Sequence, residues 1–166
     1  MTEALAPPFL VASLVLCVAG LAKLRAPSTA AAAIGTRPGV IRALALGELA
    51  LGLACVAHPT RVLAVALALL YGLFAIVAVL LRRRRVACGC FGDDDLPVSQ
   101  AHVIASELLC ALAAAAAFAS PRGAGWLAGQ PVATSVVLAV GIAASVYATL
   151  LVYVRLPAAW IAWSGE

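Results

Sequence analysis

Two thiols one residue apart, Cys88-Gly89-Cys90, are the most reactive grouping in this chain, and Phe91-Gly92 follows them directly. Two cysteines at this spacing can close into a tight disulfide, and the glycine between them supplies the backbone freedom such a ring needs. A strained, accessible disulfide is reduced more easily than a structural one. Arg82, Arg83, Arg84 and Arg85 lie just upstream and favour the thiolate, the nucleophilic form. Asp93, Asp94 and Asp95 lie just downstream and oppose it, so these charge blocks alone do not set the thiol acidity. Three chemistries fit the pair: a redox dithiol, a soft-metal site for Cu(I) or Hg(II), or two inert small residues at a helix end. A closed zinc site wants four ligands, and only His102 is near in sequence.

Glu48 is the second signal. It falls in the middle of an apolar stretch, where a carboxylate is costly and turns to a bundle interior, a cavity or a basic partner. Gly52 and Cys55 lie on its helical face, and Lys23 is placed to snorkel or to pair with it. The residue is either a structural tie or a proton-handling group coupled to thiol chemistry. Glu107 is a parallel case nearer a membrane boundary, and His102, Ser106 and Cys110 recur near it at four-residue spacing. The remaining thiols, Cys17, Cys55 and Cys110, lie inside apolar stretches. Each reads either as a small buried side chain or as a step in a thiol relay.

The elements that carry these residues are set by composition. The chain has 166 residues, of which 65% are hydrophobic and 11% charged. Soluble domains carry about 25% charged residues, so the surrounding solvent here must be lipid. Ala and Leu dominate and strict alternation is absent, which predicts an all-α integral membrane bundle of four to five helices rather than a β-barrel. Candidate spans run at about 9–24, 40–57, 61–81, 101–119 and 131–154. They form a single transmembrane domain. Ala43, Gly47 and Gly52 on the second span favour close helix packing. The first span lacks a preceding Lys or Arg and reads as a retained helix rather than a cleaved signal. The net charge of +4 sits in short loops, which argues against nucleic-acid binding. Nine of the eleven Lys and Arg residues fall on the side of the first-to-second and third-to-fourth loops. The positive-inside rule therefore predicts a plasma-membrane protein with its N-terminus outside and Cys88–Cys90 at the cytoplasmic surface.

Three stretches together resemble a known family. They are Val18–Leu24, Gly47–Gly52 and the Cys88–Gly92 motif, and they look like the methylamine-utilisation MauE family, which is related to DoxX-like membrane proteins. The similarity covers about residues 9–119. It implies a small helical bundle linked to thiol–disulfide chemistry and a thioredoxin-like partner outside the cytoplasm. It also implies that Cys88 and Cys90 are the exchanging pair, with Lys23 and Glu48 as recurring polar residues. Members often carry an Arg-Asn pair early in the helix after the motif. Here that region reads His102 to Glu107, so the role of that pair does not transfer.

The expected function is therefore membrane thiol–disulfide exchange through Cys88 and Cys90, with Glu48 assisting and with Lys23, Phe91, His102 and Glu107 as binding or supporting residues. No cofactor or metal is expected for that chemistry. The rival readings are a Cu(I) or Hg(II) binding or transport protein and a structural subunit of a homo- or hetero-oligomeric membrane complex. A partner outside the cytoplasm conflicts with thiols inside it. Either the pair passes electrons from cytoplasmic thiols across the membrane, or the span count differs by one.

Overall fold

The computed structural model describes residues 3–84 and 98–155. A short 3-10 turn, Glu3–Leu5, leads into seven helices. These are α1 (Ala6–Arg25), α2 (Pro27–Ile34), α3 (Pro38–Ala57), α4 (Arg61–Arg84), α5 (Gln100–Ala119), α6 (Ala124–Ala128) and α7 (Val132–Val154). No strand occurs among the described residues. Five helices, α1, α3, α4, α5 and α7, are long and apolar enough to cross a membrane. The protein is an all-α, multi-pass membrane bundle. Cys88, Cys90 and Phe91 lie outside the described residues.

The helix boundaries follow from local chemistry. Pro27 and Pro38 occupy first-turn positions of α2 and α3, where a missing N–H costs nothing. Gly35 ends α2 in the left-handed region at φ 73°, and its N–H returns to the carbonyls of Ala31 and Ala32. Pro27 and Gly35 thus start and stop a short helix between the first two long ones. The α5 start is a capping box. Ser99 caps the His102 backbone N–H, and the His102 side chain caps Ser99 in return.

Contacts between elements fix their directions. Ser13 and Cys17 meet Gly52, Gly20 meets Ala45 and Leu49, and Lys23 meets Glu48. Rising positions on α1 therefore meet falling positions on α3, so the two helices are antiparallel. The same holds for α4 and α5, where Arg61 reaches Ser120, Gly72 faces Cys110, and Leu81 packs with Val98 and Val103. α1 is the most buried of the five long helices and α7 the least. Phe9, Val15 and Leu16 of α1 form the core with Leu67 and Tyr71 of α4 and Leu109 of α5. Leu46, Val62, Leu69, Ile76, Phe118 and Val137 point outward, as residues solvated by acyl chains do.

This packing sorts the charges. Lys23, Arg25, Arg37, Arg42, Arg82, Arg83, Arg84 and Arg155 gather toward one end of the bundle. Arg61 and Arg122 belong to the other, where Arg122 pairs with Glu3 at 3.3 Å. The chain leaves α4 and enters α5 at the basic end.

Candidate functional site: a buried ion pair below the basic end

The seam between α1 and α3 is built from small residues. A Cβ on Gly20 would stand 2.8 Å from the Ala45 carbonyl oxygen. One on Gly52 would stand 2.5 Å from the Cys17 Sγ and 2.8 Å from the Ser13 carbonyl oxygen. Only glycine allows this approach. Ala43 and Gly47 face outward from this seam, and a Cβ on Gly47 would meet nothing within 4 Å. The packed edge of α3 is Ile41, Ala45, Glu48, Gly52 and Cys55.

Close approach brings Lys23 and Glu48 together. The Lys23 Nζ donates to both carboxylate oxygens of Glu48, at 2.6 and 2.7 Å. Glu48 is 1% exposed and Lys23 6%, so water screens neither. The ammonium also lies 4.7 Å from the centroid of the Phe74 ring, a cation–π contact in a dry setting. Tyr71 meets Phe74 edge-on at 5.9 Å and donates its hydroxyl to the Ala12 carbonyl at 2.7 Å. The pair is thus walled by aromatic side chains of α4.

A second polar group lies across a small cavity. Ser106 and Tyr153 share a hydrogen bond of 3.0 Å, and the His102 ring packs edge-on against Tyr153 at 5.5 Å. His102 Nδ1 accepts from the Ser99 backbone N–H at 3.3 Å. The cavity measures about 40 Å³, and its walls include Lys23, Tyr71, Phe74, His102, Ser106 and Tyr153. That volume holds roughly one water, and its polar walls can bind one. Four helices converge here, so the arrangement holds a charge pair and a hydrogen-bonded polar group away from lipid.

Not every expected residue joins this cluster. Lys23, Glu48 and His102 do. Glu107 points outward and contacts none of them. Cys110 leaves the His102–Ser106 line because four-residue steps drift by about 40° on an α-helix. It faces Gly72 in a groove between α4 and α5 instead. Cys17 packs against Gly52, and the Cys55 thiol lies 3.7 Å from the Leu63 carbonyl. All three are free thiols. Tyr71, Phe74 and Tyr153 were not singled out from the sequence. Their signal is the spacing of two aromatics three residues apart in an otherwise aliphatic helix, and the second of two tyrosines, near the end of α7.

No characterised protein and no solved structure matches the chain significantly. A family model does match, that of methylamine utilisation protein MauE, over residues 3–120. The matched region takes in α1 to α5, with the Lys23–Glu48 pair and both glycine contacts of the α1–α3 seam, and on that extent the chain belongs to the MauE family.

Proposed function

We propose that this membrane protein of the MauE family is a thiol–disulfide exchange protein serving methylamine utilisation, with Cys88 and Cys90 as its redox pair. The observation that carries the reading is the Cys-Gly-Cys spacing in the connection between α4 and α5. Its flanks, Arg84 and Val98, belong to the basic end, the end toward which Lys23 and His102 also lie.

In the proposed step, one thiolate of the pair attacks a disulfide of a thioredoxin-like partner. The partner's S–S bond breaks, a mixed disulfide forms, and the departing partner sulfur takes up a proton. The second thiol of the pair then loses its proton and attacks the mixed disulfide. Cys88–Cys90 becomes the disulfide, and the partner leaves as a dithiol carrying two electrons. The same steps in reverse oxidise the partner. Lys23 and Glu48 tie α1 to α3 beneath this end, and Glu48 is the carboxylate available for proton exchange when the pair opens. The charge asymmetry supports a cytoplasmic basic end and an outside N-terminus.

Labelling with a membrane-impermeant maleimide, on intact cells and on inverted vesicles, tests side and redox state together. Cys88 and Cys90 are expected to label from the cytoplasmic face, and more fully after reduction. Labelling that ignores reductant on both faces would sink the redox reading. Labelling from outside would overturn the orientation alone.

A further inference from the structure

Two buried groups on the walls of the small cavity have more hydrogen-bonding capacity than the bonds described above use. An ammonium carries three N–H groups, and Glu48 takes two of those on Lys23. A hydroxyl donates one hydrogen bond and accepts two, and Ser106 uses one of these on Tyr153 at 3.0 Å. Lys23 is 6% exposed and Ser106 3%, so bulk solvent does not complete either set. Both border the same cavity of about 40 Å³.

That volume admits water and excludes an organic ligand, and a buried water wants about two to four polar partners. The Lys23 ammonium offers a donor from α1. The Ser106 and Tyr153 hydroxyls offer acceptors and a donor from α5 and α7. Tyr153 lies beyond the family-matched residues 3–120, so α7 completes a site whose other polar walls lie within them.

We propose that the cavity binds one water between the Lys23 ammonium and the Ser106–Tyr153 hydroxyl pair, and that the buried Lys23–Glu48 pair exchanges protons through it. Ser106 and Tyr153 are positioning residues that hold the water against Lys23. In each exchange one N–H hydrogen of Lys23 passes to the water as one returns from it, so charge and proton count are kept. Glu48, bonded to the other two N–H groups, meets the exchanged hydrogen when the ammonium rotates. The use of those protons in thiol chemistry rests on the function proposed above; the water site itself does not.

Lys23 is the sole lysine of the chain, so isotopically labelled lysine gives a single ammonium signal. Solid-state NMR of the full chain in lipid bilayers is expected to show a cross-peak from that ammonium to water, and exchange of its hydrogens in heavy water. Ser106→Val and Ser106→Thr introduce nearly the same shape and differ in the hydroxyl. Ser106→Val should erase the cross-peak and slow the exchange about a hundredfold, the low end for a positioned proton-transfer partner. Ser106→Thr should restore both. Tyr153→Phe keeps the ring and should slow the exchange in the same direction, and it decides the question if Ser106→Val does not fold. Cys88→Ser/Cys90→Ser should leave cross-peak and rate as in the wild type, so loss of thiol exchange alone leaves this site standing. Three results overturn the proposal: no cross-peak in the wild type, equal exchange in Ser106→Val and Ser106→Thr, or a wild-type rate in Tyr153→Phe.

Discussion

The contact between Lys23 and Glu48 joins two helices through two charges that are almost wholly withdrawn from solvent. Removing one partner strands the other, and an unpaired buried charge costs about 3–5 kcal/mol. Glu48→Leu is therefore expected to lower stability by about that amount in a detergent unfolding titration. Lys23→Met combined with Glu48→Leu should recover most of the loss, because an apolar pair of similar volume leaves no charge behind. Two losses that simply add would show that the residues act separately. This pairing was legible in the sequence, since an intramembrane carboxylate demands a partner and Lys23 sits one helix earlier at the right end. The aromatic wall was not. Phe74 acts through its distance to an ammonium on another helix, and no spacing within α4 encodes that distance.

The helices themselves were legible because lipid imposes a length and a composition on anything that crosses it. Their faces were less so. In α3 the outward positions carry Leu44, Leu46 and Leu53, as apolar as the buried ones, so no polar stripe marks the packed edge. By residue type alone, Ala43 and Gly47 are as suitable for the seam as Ala45 and Gly52. The structure separates them. Gly52→Ala pushes a methyl into Cys17 and the α1 backbone, and should destabilise by about 1–3 kcal/mol, the usual range for overpacking. Gly47→Ala meets nothing and should be neutral or gain up to about 1 kcal/mol from helix propensity. Thermal unfolding of the two purified variants distinguishes them, and equal effects would contradict the assigned seam. α2 and α6 went unforeseen because eight and five residues carry too little periodicity to stand out from a loop.

At the scale of the molecule, the family-matched region is a four-span unit with α7 placed against its side. Among its described residues α7 buries only Ile142 and Tyr153, and Tyr153 closes the cavity over Ser106. A chain ended after Gly123 should therefore keep the α1–α5 packing, seen as retained sensitivity of its unfolding to Gly52→Ala. Loss of that sensitivity would make α7 integral to the core. The same arrangement gathers the basic residues and the ends of α4 and α5 on one face, which gives the thiol connection its setting. The central claim is that Cys88 and Cys90 exchange disulfides, and trapping of the mixed disulfide tests it most directly. Host cells carrying Cys90→Ser are quenched in acid, alkylated, and mapped by mass spectrometry without reduction. The account predicts a reductant-sensitive adduct joining Cys88 to a cysteine of another protein, absent from Cys88→Ser/Cys90→Ser. Cys88 of the Cys90→Ser protein recovered wholly as the alkylated free thiol, together with wild-type protein that never forms Cys88–Cys90, would contradict it.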